Sequence, residues 1–212
     1  MAAVIPLRDA SRRPTRLPLV TGSIIVLNVV VFALELSRGN AFIMRWAVIP
    51  AEIMSGHGLL TIATAMFMHG GWLHIISNMV FLWAFGPVIE DLMTRRRYLA
   101  FYLLGGLAAT LAQVAAAPTS GVPVLGASGA IAAVMGAFIV TYPRDRIRSL
   151  LVILVFVSVT YVPAVLLIGV WFIVQFVSFR SVVHEPSGGV AYAAHVGGFI
   201  FGAIAVRFFE RR

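Results

Sequence analysis

The chain has 212 residues, 60% hydrophobic and 11% charged, whereas a soluble domain carries about 25% charged residues, so the composition excludes an ordinary soluble domain and favours a multi-span membrane protein. The formal charge of +8 comes from arginines in short clusters between apolar runs, a pattern that indicates lipid headgroups and membrane topology instead of nucleic-acid binding. The sequence has no cysteine, which excludes disulfides, a thiol nucleophile and a cysteine-bound metal.

The chain begins with a basic segment, residues 1–18, that is rich in arginine and poor in acidic residues. A transit peptide has this composition, but a cytoplasmic tail that obeys the positive-inside rule is the simpler interpretation. An apolar run at residues 19–36 then predicts the first membrane span. The middle of the following segment, residues 37–71, is too apolar for a solvated loop, and we expect it to lie in the interface or against the bundle.

Three further apolar runs predict the second, third and fourth spans, at residues 72–89, 98–117 and 128–142. The fourth run is shorter than the ~20 residues that cross a bilayer, so one of its ends must lie below the membrane surface. A cluster of arginines directly after it marks its inner end. The recessed end is therefore the outer one, where Ser128 lies.

The apolar run at residues 150–179 is too long for a single span. As one straight helix it would measure ~45 Å, against a hydrocarbon core of ~30 Å. Pro163 divides the run, and we expect the fifth span at residues 162–179, with the preceding part as an interfacial connector. The sixth span follows at residues 190–209.

Most arginines fall in the segments that this interpretation assigns to the inner side of the membrane. The positive-inside rule then predicts six spans with both termini in the cytoplasm. The sequence thus predicts an all-α membrane protein with a basic cytoplasmic tail at residues 1–18, one six-helix bundle at residues 19–209 and a cytoplasmic C-terminus at residues 210–212.

A serine between two glycines opens the fourth span, in the sequence Gly126-Ala127-Ser128-Gly129. A small residue at such a position commonly allows two membrane helices to pack closely. A serine at a helix N-terminus also faces free backbone amides and the positive end of the helix dipole, which stabilise the oxyanion formed when serine attacks a carbonyl. On this second interpretation Ser128 is a nucleophile, and the glycines leave room for a substrate backbone.

A lone histidine, His195, lies near the outer end of the sixth span. A histidine inside a membrane is either hydrogen-bonded to a neighbouring helix for packing or functional, and the functional reading is the default. Gly198 and Gly202 lie on the same helical face, which allows close approach to the fourth helix at Gly129. His195 would then reach Ser128 and act as its general base.

His74 and Asn78 are spaced i, i+4 near the outer end of the second span, so both face one way. They are either a polar clamp between helices or donors of hydrogen bonds to an oxyanion. His69 lies in the preceding turn and is expected to be structural. The three histidines could in principle bind zinc, but there is no His-Glu-x-x-His motif and no carboxylate near the outer ends of these helices, so we expect no metal. No carboxylate is placed to orient His195, so we expect a dyad.

Together these stretches resemble the rhomboid family of intramembrane serine proteases. The matching residues are His69-Gly70-Gly71-Trp72-Leu73-His74-Ile75-Ile76-Ser77-Asn78, Gly126-Ala127-Ser128-Gly129, and Ala194-His195-Val196-Gly197-Gly198 with Gly202. The resemblance implies a six-helix bundle in which Ser128 attacks a peptide bond, His195 is the base, and His74, Asn78 and the Ser128 amide form the oxyanion hole. It also implies transmembrane protein substrates, cut near the outer end of a helix, and no metal or organic cofactor.

Two features depart from many members of the family. Where these carry a Trp-Arg pair in the first outer loop, this chain has Gly58-Leu59-Leu60-Thr61, and where some place an aromatic residue one turn after the serine, it has Ala132. Two other functions stay open, a non-catalytic rhomboid-like protein that binds membrane clients and a small transporter that relays protons through histidines. The short tails favour a bacterial plasma membrane.

Overall fold

The computed structural model describes residues 2–154, 156–182 and 191–211, with side chains except at residues 2 and 179–182. Six longer helices form the body of the protein. They are α1 (Leu19–Arg38), α5 (Trp72–Leu92), α6 (Arg95–Ala116), α7 (Ser128–Thr141), α8 (Ala164–Val182) and α9 (Tyr192–Phe209). Each begins within a few residues of a predicted span, and the predicted outer loop at residues 180–189 lies largely outside the described residues.

Four of these helices, α1, α5, α6 and α9, are long and apolar enough to cross a membrane. The other two, α7 and α8, are apolar but have shorter apolar stretches. Helix α7 lies at the centre, because all its residues from Gly129 to Phe138 are buried and it packs against α5, α6 and α9. The short α7 is therefore enclosed by longer helices along the middle of its length.

The segment between α1 and α5 folds into short helices, α2 (Asn40–Trp46), α3 (Pro50–Met54) and α4 (Thr61–Thr64), and one turn of 3₁₀ helix (Ala65–Phe67). Its apolar residues are partly buried against the bundle, as the sequence predicts. The fully buried ones are Ala47, Val48, Ala65, Met66 and Met68.

The all-α prediction is wrong in one respect, because the protein also has a three-stranded antiparallel sheet in the order β1-β2-β3. Strand β1 (Ala2–Asp9) comes from the predicted tail, and β2 (Arg146–Ile153) and β3 (Phe156–Pro163) come from the predicted connector. Strand β1 also packs against α5. The predicted cytoplasmic tail, residues 1–18, therefore includes a strand of this sheet.

The sequence does not predict the hairpin of β2 and β3, because its turn contains no glycine, proline, asparagine or aspartate. Ile153 pairs with Phe156, and the chain reverses through Leu154, which has a φ of 55°. Left-handed backbone is normally found at glycine, asparagine or aspartate, so an all-apolar run with leucine at this point resembles a membrane helix.

In β1, Pro6 lacks an N–H for hydrogen bonding to β2, and the register of the pairing shifts between Pro6 and Arg8.

Acidic side chains fix the segment that connects the sheet to α1. The carboxylate of Glu90 accepts the N–H groups of Val20 and Thr21 at 2.9 and 2.8 Å, and Asp91 accepts the N–H of Thr15 at 3.0 Å. A carboxylate at a helix N-terminus satisfies free amides and faces the positive end of the dipole. The start of α1 and the end of α5 are thereby held together.

Asp9 at the end of β1 predicts a pH dependence of stability. Burial, with a smaller effect of the nearby Asp145, raises the pKa of Asp9 to about 6 from 3.8. The folded state therefore binds the proton more tightly than the unfolded state, and stability falls as pH rises from about 4 to about 6 and stays lower above that range. The N–H groups of Ser11 and Arg12 donate to Asp9 Oδ1, a contact that asparagine preserves.

We expect Asp9→Asn to stabilise the protein by on the order of 1 kcal/mol at neutral pH and to reduce the stability difference between about pH 5 and pH 7. Thermal unfolding in detergent at the two pH values measures both effects. An unchanged difference in Asp9→Asn would assign the pH dependence to other groups.

Candidate active site

Ser128 and His195 lie in hydrogen-bond contact near the ends of two packed helices. Ser128 is the first residue of α7, and His195 lies in the first turn of α9. The distance between His195 Nε2 and Ser128 Oγ is 2.7 Å. His195 is 8% exposed, so this contact is formed in a largely water-excluded site, where hydrogen bonds are strong.

Glycines let α7 and α9 approach closely enough for this contact. A Cβ atom at Gly198 would overlap the carbonyl oxygen of Gly129, and one at Gly202 would overlap that of Ala133. A Cβ atom at Gly136 would likewise overlap a carbonyl oxygen of α9. Backbone contact of this kind requires glycine at the interface.

The other face of His195 is held by α8. His195 Nδ1 lies 2.6 Å from Gln175 Oε1, and the ring centroid of Trp171 lies 5.7 Å from that of His195. Trp171 thus provides an aromatic neighbour for His195 although Ala132, one turn after Ser128, does not. Sequence reasoning missed both residues because it searched for a carboxylate. The available signal was a glutamine inside an apolar helix, where polar residues are commonly functional.

His74 presents one ring nitrogen to the start of α7. Its Nδ1 accepts the N–H of Gly70 at 3.2 Å, so in the neutral ring the proton lies on Nε2. A Cβ atom placed on Gly126 would lie 3.0 Å from His74 Nε2 and 3.5 Å from Ser128 Oγ. His74 Nε2 and Ser128 Oγ therefore both lie against Gly126.

Asn78 lies one helical turn after His74 on α5. Asn78 is 6% exposed, and its Nδ2 has no hydrogen-bond partner among the described residues. The N–H of Ser128, at the first position of α7, likewise has no acceptor within its own helix. A buried amide donor without a partner is destabilising by roughly 1–3 kcal/mol, and such donors are common where a ligand or a reacting group binds.

The loop before Ser128 is fixed by backbone contacts. Gly126 has a φ of 137°, which side-chain-bearing residues rarely adopt, and its N–H donates to the Ala65 carbonyl at 2.9 Å. Val48 and Val124 exchange two backbone hydrogen bonds of 2.9 and 2.7 Å. The segment between α1 and α5 thus positions the loop that leads into α7.

His69 is buried behind His74 and has no contact with Ser128. Its N–H donates to both oxygens of Glu35 at 3.1 Å, and its ring lies edge-on to that of His74 at 5.1 Å between centroids. Burial, with a smaller effect of His74, lowers the pKa of His69 to about 3, so its ring is neutral. This arrangement fits the structural role predicted for it.

A small cavity of about 20 Å³ adjoins Ser128 and is lined in part by Thr110, Gly126 and Ala194. This volume is enough for one water molecule, which needs roughly 10–15 Å³. Gln113, on α6, accepts the Ala194 N–H at 3.3 Å through its amide oxygen. Among the described residues, no group of three His, Asp or Glu side chains is arranged to hold a metal ion.

Comparison with known proteins decides the family. The family model described as Rhomboid domain matches residues 56–212, which include Ser128 and His195. The chain belongs to the rhomboid family. It is thus a membrane protein of a family associated with intramembrane proteolysis.

Several curated rhomboid relatives match most of this chain. It is 27% identical to presenilin-associated rhomboid-like protein A, mitochondrial, of Danio rerio, over 86% of this chain and 45% of the relative. It is 28% identical to rhomboid protein 1, mitochondrial, of Saccharomyces cerevisiae (84% and 49%) and 29% identical to RHOMBOID-like protein 12, mitochondrial, of Arabidopsis thaliana (86% and 56%). This rhomboid chain spans about half the length of these relatives. Each of the three is named as a mitochondrial protein, not as a bacterial one.

Proposed function

We propose that this protein is an intramembrane serine endopeptidase that hydrolyses peptide bonds of transmembrane proteins near the outer membrane face. The observation that carries the proposal is the distance of 2.7 Å between His195 Nε2 and Ser128 Oγ. A nucleophile and a base in hydrogen-bond contact, at a helix N-terminus, are the groups that acyl transfer requires at a minimum.

The proposed reaction has two halves. His195 Nε2 takes the Ser128 hydroxyl proton as Oγ attacks the scissile carbonyl, and the resulting imidazolium gives that proton to the leaving amine. Water then attacks the acyl-enzyme with His195 again as the base, which releases the new carboxyl end and restores the Ser128 hydroxyl. The cavity beside Ser128 is large enough for such a water molecule.

Three donors are proposed to stabilise the oxyanion, namely His74 Nε2–H, Asn78 Nδ2 and the N–H of Ser128. Their support is the position of His74 Nε2 beside Gly126 and the absence of other partners for Asn78 Nδ2 within the described residues. Fixed donors in a water-poor site stabilise charge that develops only in the transition state. Gly126, Gly129, Gly198 and Gly202 support this site by close backbone packing.

The proposed topology has six membrane crossings with both termini in the cytoplasm. Helices α7 and α8 complete the four long spans, and α7 crosses as a short helix inside the bundle. The arginine distribution supports this orientation, which places Ser128 on the outer side. Proposed partners are the bilayer and transmembrane protein substrates, without nucleic acid or metal.

The relatives' names favour a mitochondrial membrane over the bacterial plasma membrane expected from the short tails. Tail length is a poor guide to location here, because the matched relatives are about twice as long as the matched region. The part of the prediction that stands is an integral, multi-pass membrane protein.

The alternative is a rhomboid-like protein that binds membrane clients without cutting them. Client binding needs neither a nucleophile nor unpaired donors beside it, so Ser128, His195 and Asn78 together favour the protease.

The test of the proposed function is a single-span reporter added to the protein in liposomes, with the cleavage products mapped by mass spectrometry. The proposal expects one cut near the outer end of the reporter helix and no effect of a chelator. Reporter binding without products would favour the client-binding alternative.

Asn78→Leu tests the oxyanion donor. The side chains are similar in volume, but leucine donates no hydrogen bond, so we expect kcat to fall about 10²–10³-fold with little change in KM. Ile76→Leu, at an exposed position of the same helix, is the control and should retain wild-type kinetics. A kcat within threefold of wild type in Asn78→Leu would exclude Asn78 from the oxyanion hole.

A further inference from the structure

We infer that Gln175 of α8 is a positioning residue that selects the tautomer of His195 in which Nε2 is the base. The inference rests on the proposed function of the Ser128–His195 pair. It is drawn from a hydrogen bond of 2.6 Å between Gln175 Oε1 and His195 Nδ1, the ring nitrogen that does not face Ser128.

The chemistry of the two groups determines where the proton lies. An amide oxygen accepts hydrogen bonds and donates none, so the Nδ1 atom facing Gln175 Oε1 must carry the hydrogen. A neutral imidazole has a single N–H, and Nε2 therefore has a free lone pair. That lone pair lies 2.7 Å from Ser128 Oγ, as a base requires.

Gln175 and Trp171 act from one face of α8. They are spaced i, i+4, so both point toward His195, whereas Ile173 and Val174 between them are 61% and 52% exposed on the lipid side. The imidazole is thereby held by Ser128 at one nitrogen, Gln175 at the other and the Trp171 ring on its flank. This restricts ring rotation, which would otherwise remove Nε2 from Ser128.

An amide suits this depth better than a carboxylate would. A buried carboxylate without a cationic partner is strongly destabilised by loss of hydration, whereas the amide is neutral when His195 is neutral. When Nε2 takes the serine proton, the Gln175 carbonyl dipole still accepts from Nδ1 and stabilises the imidazolium. Gln175 thus performs the orienting role that aspartate or asparagine performs in other serine and cysteine proteases.

Kinetics of three variants test the role. Gln175→Met removes the acceptor at similar size and should lower kcat about 10–100-fold with KM changed less than about twofold. Gln175→Glu restores an acceptor, and its folded fraction should recover most of the kcat above the acid limb of its pH–rate profile, where the His195 ring is neutral. Because a carboxylate favours the protonated imidazole, the acid limb of its pH–rate profile should move to higher pH. The titratable neighbour of His195 among the described residues is His74, which all variants retain.

The control is Val174→Met, which places the same side chain on the lipid-facing side of the same turn and should leave kcat and the pH profile unchanged. If Gln175→Met matches wild type in both, Gln175 does not position His195. A kcat that falls equally in Gln175→Met and Gln175→Glu, with no pH shift in the latter, would also overturn the inference, because it would indicate a merely structural role.

The tautomer is measurable without activity, which separates this inference from the proposed function. In ¹⁵N-histidine-labelled protein in micelles, the His195 signals, assigned with His195→Ala, should show a proton on Nδ1 in wild type and Val174→Met. In Gln175→Met they should show a mixture or a proton on Nε2. If wild type cleaves nothing but shows this pattern, the inference stands and the proposed function fails. A proton on Nε2 in wild type overturns the inference whether or not the protein cleaves.

Discussion

Replacing Ser128 by alanine should abolish cleavage of a single-span reporter and leave the fold intact. The change deletes one oxygen from a half-buried side chain whose hydrogen-bond partner is His195. Without the nucleophile no acyl-enzyme forms, and kcat should fall by at least about 10⁴-fold. His195→Ala should be comparably inactive, and the double variant no worse than either single one, because the two residues act as a unit.

The control for this prediction is Ser55→Ala. Ser55 is exposed and its hydroxyl donates to the Glu52 carbonyl in the segment between α1 and α5, so activity should be unchanged. Circular dichroism and thermal unfolding in detergent should report equal folding for wild type, Ser128→Ala and Ser55→Ala. Cleavage by folded Ser128→Ala at a tenth of the wild-type rate or more would contradict the serine mechanism.

Gly202→Ala should be strongly destabilising although it adds a single methyl group. The added Cβ would overlap the carbonyl oxygen of Ala133, and that backbone atom moves only if α7 moves. We expect a loss of about 3 kcal/mol or more in stability. Because α7 carries Ser128 and α9 carries His195, the same displacement should separate the dyad and lower activity in the fraction that remains folded.

A matched control comes from Gly22→Ala in α1. A Cβ atom at Gly22 would have no heavy atom within 4 Å, so the same substitution should be neutral or should stabilise by about 0.5–1 kcal/mol through helix propensity. Melting temperatures of the two variants in one detergent measure the contrast. Equal melting temperatures would show that the contact between α7 and α9 tolerates a side chain, against the packing described.

The sequence predicts the helical bundle and the contact between Ser128 and His195 because both leave strong local signals. Apolar runs mark all six longer helices to within a few residues, and the short fourth run correctly indicates a helix that begins at Ser128. The small-residue face of Gly198 and Gly202 correctly indicates that α9 packs on α7. These features depend on periodicity and residue size, which a single sequence displays.

The sheet and the α8 contacts leave weaker signals. Leu154 reverses the chain without glycine or asparagine, so the hairpin is hidden in an apolar run, and β1 depends on pairing with residues more than a hundred positions away. Gln175 and Trp171 become significant only when tertiary packing brings α8 against His195. Ala132 shows that this chain lacks the aromatic residue that some rhomboids place one turn after the serine. It does not show that Trp171 of α8 packs against His195 instead.

Labelling with a fluorophosphonate tests the central claim, that His195 activates Ser128, most directly. The probe reacts with activated serines whether or not a substrate is known, and mass spectrometry locates the modified residue. We expect a single label, on Ser128, in wild-type protein in detergent or liposomes, and its loss in folded His195→Ala. A label absent from Ser128, or an equal rate of Ser128 labelling in His195→Ala, would contradict the mechanism.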